Sequence, residues 1–238
     1  MSAVEAINAA IAAVCVEMDE IGGRGDRWKR MSAEDLAYDL CVCVSSSQER
    51  FETAVAASRE LRRRGLLRWL GRSAGSVTLK WQLEKVLLDG HRLRQGASTR
   101  FVRLRFPRRT AGLLAGIAED VRSTGLNLRA ILRAAPSGRD ARANLVRRVR
   151  GLGPKQASLF LRRIGFSREL AVLDRHVLDY FHALDGRAIS NTTISGINGY
   201  ELIERRFVRI SRSFGYPVGC VDLATWIVVR VAKQEGIL

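Results

Sequence analysis

The chain has 238 residues, with 40 Lys or Arg against 24 Asp or Glu, a formal charge of +16 and an isoelectric point near 11.0. That length can bury a sizeable core in one domain or two small ones, and the charge points to a polyanionic partner, most simply nucleic acid. No apolar run reaches the roughly 18 residues of a membrane span, and no basic stretch followed by an apolar one opens the chain, so neither a membrane protein nor a secreted one is expected.

Nearly every segment reads as helix. Residues 2–21 carry periodic apolar positions among alanines, and the cluster Gly22-Gly23-Arg24-Gly25 is expected to end them. Ser32-Ala33-Glu34-Asp35 has the form of a helix start, a serine cap followed by acids in the first turn. The apolar stretch Leu36 to Val44 follows and is broken by Ser45-Ser46-Ser47; a further helix is predicted over Glu49 to Arg64, stopped by Gly65. Cys41 and Cys43 lie in that apolar stretch. With Cys15 and Cys220 they fit neither a zinc site nor a disulfide framework, and they are expected to be buried small hydrophobes. The three histidines are scattered, so no metal is expected.

From Gly71 to Arg105 glycines and β-formers interrupt the pattern, and no element is assigned. Phe101-Val102-Arg103-Leu104-Arg105-Phe106 alternates as a strand would, or as an extended connector. Helices are then predicted over 108–122, 126–134, 138–149, 154–164, 175–184, 199–213 and 219–234. Pro107, Pro136, Pro154 and Pro217 all fall at predicted helix starts. The expected fold is all-α, with residues 1–238 as one compact unit of two helical lobes and no flexible linker.

Residues 141–164 read as helix, short glycine turn, helix. Gly151 suits a helix C-terminal cap, Gly153 a tight turn where backbone approaches something closely, and Pro154 the first position of the next helix. The amides of such a turn and the helix N-terminus can hold a DNA phosphate, with Arg147, Arg148 and Arg150 adding attraction. An ordinary helical corner would look the same from the glycines alone. Lys155 changes the balance. Only five of the 40 basic residues are lysines, so a site needing positive charge alone would most simply have been an arginine. A primary amine can form a Schiff base with a sugar aldehyde, and a guanidinium cannot. To attack, the amine must be neutral, so its pKa has to fall from about 10.4; burial and the helix N-terminus both push that way. Asp174, nineteen residues on in Val172-Leu173-Asp174-Arg175-His176-Val177, precedes an apolar helix. It can serve as a cap, as an anion stabilising positive charge on a sugar, or as both. His176 reads as a neighbour on that helix rather than a catalyst.

The stretch Asn144 to Phe181, with its Gly-Leu-Gly-Pro-Lys-Gln-Ala-Ser and Leu-Asp-Arg-His elements, resembles the helix-hairpin-helix DNA glycosylase superfamily, and within it the archaeal-type 8-oxoguanine DNA glycosylase/AP lyases. Weaker similarity runs through Leu40 to Val44 and Asp222 to Trp226. The resemblance implies that the active site lies in a cleft between the two lobes, with Lys155 as Schiff-base nucleophile and Asp174 as its activating partner. It further implies that Gly151, Gly153, Arg148 and Arg150 contact the DNA backbone. The four-cysteine iron–sulfur loop of some superfamily members is not expected, since Cys220 stands alone near the C-terminus. The sequence departs from the pattern at Pro154, where a larger residue is usual, and at Ser47, where an asparagine is expected. It departs again at the end, Gly236-Ile237-Leu238, which has no terminal lysine and lies further from Trp226.

An enzyme acting on a base inside duplex DNA must extrude it, fill the gap and grip the base. Gln48, with Ser47 beside it, is the candidate for the orphaned partner base, although both also suit a surface loop. Trp226 is the candidate for stacking on the extruded base, although a tryptophan on an amphipathic helix also suits the core. The chain-end carboxylate of Leu238 is the candidate for base recognition. The expected function is therefore excision of an oxidised purine, 8-oxoguanine, from double-stranded DNA through a lysine imine, followed by β-elimination. No cofactor is expected; a monomer in the cytoplasm, associated with the nucleoid, is. The alternatives are a non-catalytic helix-hairpin-helix DNA-binding protein and a glycosylase for a different damaged base.

Overall fold

The computed structural model describes residues 2–21, 26–68, 76–96, 98–190 and 192–238. The Gly22 to Gly25 cluster and the start of the unassigned stretch, Gly71 to Gly75, lie outside them. The described residues form α1 (Ala3–Ile21), α2 (Arg27–Arg30), α3 (Ala33–Ser45), α4 (Phe51–Arg63) and α5 (Ser76–Leu88), then strands β1 (His91–Gln95) and β2 (Ser98–Val102). The remaining helices are α6 (Pro107–Ser123), α7 (Leu128–Arg133), α8 (Gly138–Arg148), α9 (Pro154–Arg163), α10 (Arg175–Asp185), α11 (Ile197–Arg212) and α12 (Val218–Gln234). The architecture is helical, as the periodicity indicates. The chain separates into two compact units, residues 28–152 and residues 1–27 with 153–238.

In the unit of residues 28–152, Ser32 accepts from the Asp35 amide while the Asp35 carboxylate accepts from the Ser32 amide, a reciprocal cap that starts α3. The Ser32 hydrogen bonds hold the Asp35 carboxyl below its ordinary range against a smaller opposing effect of burial. Arg62 on α4 then reaches Asp35 at 2.7 Å. Gly65, at φ +70°, ends that helix region as the sequence predicts. Two corrections fall in the stretch left unassigned. A full helix, α5, buries Leu79, Leu83, Val86 and Leu87, the spacing of one helical face. Its start, Ser-Val-Thr, favours strands, and Trp81 and Leu88 are exposed large apolar side chains that blunt the contrast between faces. The strand is also displaced. Pairing with β1 runs from His91↔Val102 to Gln95↔Ser98, so the strand ends at Val102; Phe106 of the alternating run is instead the N-cap of α6.

In the other unit, Ile7, Ile11 and Cys15 of α1 recur every fourth residue and are buried with Val177, Tyr180 and Phe181 of α10, Tyr200 and Phe207 of α11, and Val221, Ala224 and Val229 of α12. Tyr180 donates to Asn8 Oδ1 at 2.6 Å, tying α10 to α1. All four cysteines are buried, Cys41 and Cys43 as expected. Burial pushes the Cys41 thiol up to about 11, which suits a packing group rather than a nucleophile. No described helix is long and apolar enough to cross a membrane.

Candidate active site

The turn after α8 corrects one expectation. The C-cap is Val149, in extended conformation, whose amide donates to Leu145 O. Gly151 lies two residues further on, in a turn closed by Leu152 N–H to Val149 O at 3.3 Å. There it adopts φ +77°, and an added Cβ would lie 3.1 Å from Leu113. Both facts call for glycine. Gly153 differs: φ −80° and ψ 176° make it the N-cap of α9 in a conformation open to any residue. A Cβ there would meet only Gln156 Oε1, at 3.4 Å.

Pro154 occupies the first turn of α9 and Lys155 follows it, half-buried, on a helix anchored by buried Ala157, Phe160 and Leu161. Of the arginines nearby, Arg147 reaches Asn144 Oδ1 at 2.9 Å, and Arg148 is exposed. Arg150 is held by both oxygens of Asp120, at 2.7 and 3.0 Å. The run Arg62 to Arg64 is likewise engaged with Asp35 and Glu60.

Asp174 caps α10. Its Oδ1 accepts from the amides of His176 at 2.9 Å and Val177 at 3.1 Å, which leaves Oδ2 outside the cap. The cap therefore uses only one of the two carboxylate oxygens.

The residues that hold Asp174 in place are those the sequence did not single out. The segment Leu170 to Leu173 is buried and lies outside any helix or strand, so its amides need partners. Those of the last three residues are met by side chains of α11 or α12: Glu204 Oε1 for Ala171 at 3.0 Å, Asp222 Oδ2 for Val172 at 3.0 Å, and the Tyr200 hydroxyl for Leu173 at 2.9 Å. The Tyr200 hydroxyl also donates to Ala171 O at 2.9 Å. Asp222 does more, because the same Oδ2 accepts a close ion pair from Arg162 of α9. The helix that carries Lys155 and the segment that ends in Asp174 thus meet at one buried carboxylate. The signals in the sequence are the weaker similarity through Asp222 to Trp226 and a carboxylate in a mostly apolar stretch, Cys-Val-Asp-Leu-Ala-Thr.

Burial pushes the Asp222 carboxyl up to about 7; the Arg162 guanidinium opposes this and the Asp174 charge adds to it. An unfolded aspartate titrates near 3.9, so between those values the folded state holds the extra proton. This group's contribution to stability is therefore fully present below about 4 and is lost as pH rises towards about 7. The expected result is that the melting-temperature difference between the protein and Asp222→Asn shifts against the unsubstituted protein over that interval and is level above it. A difference independent of pH in thermal melts would contradict it.

Trp226 is half-buried rather than a core residue. Its ring meets the edge of His176 at 6.0 Å and 84°, and Arg230 lies over it at 5.0 Å. Burial lowers the His176 pKa, with the Asp174 and Asp179 charges opposing; its Nδ1 is buried without a partner among the described residues. Lys233 pairs with Asp179 at 2.7 Å. Leu238 is exposed beyond α12. In the other unit Gln48 is exposed at φ +59°, a left-handed conformation that costs a glutamine about 1 kcal/mol; Ser47 beside it is half-buried. Among the described residues no three His, Cys, Asp or Glu side chains gather as a metal site.

A lysine in the first turn after a glycine hairpin, and a capping aspartate whose preceding segment meets that lysine's helix at Asp222, mark a helix-hairpin-helix protein. Comparison with known proteins identifies which. The family described as 8-oxoguanine DNA glycosylase matches residues 24–216, and the chain belongs to that family. The 8-oxoguanine DNA glycosylase/AP lyase of Metallosphaera sedula is 30% identical over 198 residues, 83% of each chain. The crystal structure of the 8-oxoguanine DNA glycosylase of Thermotoga maritima superposes with a TM-score of 0.68 at 21% identity, over 95% of this chain and 97% of that one. The Methanocaldococcus jannaschii 8-oxoguanine glycosylase/lyase, solved in complex with a 15mer DNA containing 8-oxoguanine, gives 0.61 at 21% identity, over 98% and 92%.

Proposed function

We propose that this protein is a bifunctional DNA glycosylase and AP lyase that removes 8-oxoguanine from double-stranded DNA. The observation that carries the reading is the convergence of α9, with Lys155, and the Asp174 segment on Asp222, in a chain of this family.

The neutral amine of Lys155 attacks C1′ of the extruded nucleoside. The glycosidic bond breaks, its electron pair leaving with the base, which takes up a proton. Oδ2 of Asp174 faces the positive charge that develops on the sugar. Opening of the sugar ring gives a protonated imine between Nζ and C1′. That imine acidifies C2′; loss of a C2′ proton expels the 3′ phosphate by β-elimination, and water then releases the lysine. Every step uses the protein's own groups and water, so no cofactor or metal is needed. Gly153 is a glycine that the fold itself does not demand, which supports its role as the point where a DNA phosphate approaches the α9 amides. Arg148, exposed, adds long-range attraction. Arg150 reaches DNA only by sharing its guanidinium with Asp120. Trp226 offers a face to the extruded base with Leu238 contributing its carboxylate, and Gln48 with Ser47 attends the unpaired partner base. The protein works as a monomer on nucleoid DNA in the cytoplasm.

Duplexes carrying 8-oxoguanine, uracil, hypoxanthine or an abasic site test the substrate. Release of 8-oxoguanine well above the other bases, with nicking of the abasic duplex, is expected. Nicking of the abasic duplex without release of 8-oxoguanine would retain the amine chemistry and discard the substrate. No nicking of either would leave a DNA-binding protein only.

A further inference from the structure

The β1–β2 ribbon has no part in the chemistry above, and its composition is one-sided. Residues 90–105 contain five arginines and no acidic residue. Side chains alternate between the two faces of a ribbon, and one face is turned inward: His91 is buried at the first pair, and Leu104 is buried just past β2. The other face carries Arg92 directly opposite Phe101, with Arg94 two residues along. The Arg92 guanidinium lies over the Phe101 ring, 5.8 Å from its centroid. Arg103 joins them, since a Cβ on Gly90 would lie 3.4 Å from Phe101 Cδ1 and 3.9 Å from Arg103 Nε. Phe101 is 69% exposed, the most of any large apolar side chain described. Among the described residues no carboxylate pairs with Arg92, Arg94 or Arg103, whereas Arg62, Arg63, Arg64, Arg108 and Arg150 all have acidic partners.

We propose that this face of the ribbon is a second DNA-binding surface, one that takes single-stranded DNA, with phosphates on Arg92, Arg94 and Arg103 and an unpaired base stacked on Phe101. Arginines alone would serve duplex and single strand equally. The exposed ring selects between them, because an aromatic face gains from stacking only on a base that is not already stacked in a duplex. Arg92 and Arg94 are about 7 Å apart along the strand, suited to separate phosphates. The surface is independent of the Lys155 chemistry and exists whether or not the protein excises a base.

Fluorescence anisotropy with the full chain, a fluorescent oligothymidine and an undamaged duplex of equal length tests it. Phe101→Ser is expected to weaken oligothymidine binding about five-fold or more, the effect of losing one stacked base, and to weaken duplex binding much less. Replacing Arg92, Arg94 and Arg103 by Ser together is expected to reduce the salt slope for the oligothymidine by about 2. Arg94→Ser should weaken it more than Arg100→Ser, which removes the same charge from the opposite face of the ribbon. Unchanged oligothymidine affinity in Phe101→Ser, equal losses on both DNAs, or equal effects of Arg94→Ser and Arg100→Ser would each overturn the proposal. None of these outcomes bears on whether 8-oxoguanine is released.

Discussion

Lys155→Gln is expected to lose both base release and strand nicking, by on the order of 10³-fold or more, as removal of a covalent nucleophile generally does. The position allows a clean comparison. Lys155 is half-buried in the first turn of α9, and the helix is anchored by other residues, Ala157, Phe160 and Leu161, so the substitution removes an amine without opening the core. Lys155→Arg keeps the positive charge next to the hairpin amides but cannot form an imine. It is expected to bind DNA with an affinity close to that of the unsubstituted protein and still fail to nick. Binding isotherms alongside single-turnover nicking separate the two. An arginine variant that nicks at a comparable rate would reduce Lys155 to a phosphate contact.

Asp174→Asn carries the second large effect. Asparagine caps a helix about as well as aspartate, so the bonds that Oδ1 accepts from the His176 and Val177 amides can survive, while the negative charge on Oδ2 is lost. Base release should fall roughly 10²- to 10³-fold, the scale of removing one electrostatic contact with a transition state, with little change in melting temperature. Asp174→Ala should be as slow and also less stable by about 1 kcal/mol, the usual cost of a lost cap. Single-turnover rates and thermal melts on the pair check both statements. A rate near that of the unsubstituted protein in Asp174→Asn, with the fold intact, would leave Asp174 a cap only.

Outside the middle of the chain the helices other than the short α2, which no expectation covered, were legible because their signals are local. Ser32 with Asp35, Pro107 and Pro154 each act within a few residues, and apolar spacing shows which face is buried. Lys155 and Asp174 stand out as candidates for a different reason: an amine is chemically exceptional in an arginine-rich chain, and the surrounding motif resembles a family. The α5 region was obscured where strand-favouring residues open a helix and exposed Trp81 breaks its pattern. The supports of Asp174 were hidden more deeply. Glu204, Tyr200 and Asp222 meet amides 27 to 50 residues away in sequence, and nothing local distinguishes a buried carboxylate that closes a hydrogen-bond network from one on a solvated face. Trp226 illustrates the same limit. Its residue type suits core and base stacking alike, and only its partial exposure beside His176 and Arg230 favours the latter.

The central claim is a covalent bond between Lys155 and deoxyribose. Incubating the protein with a duplex containing 8-oxoguanine and reducing with borohydride should convert the imine to a stable amine. A crosslinked species should form whose proteolytic peptide carries the sugar on Lys155, and it should be absent from an undamaged duplex and from Lys155→Gln. Equal crosslinking by Lys155→Gln, or a modified peptide containing Lys29, Lys80, Lys85 or Lys233 instead, would contradict the account.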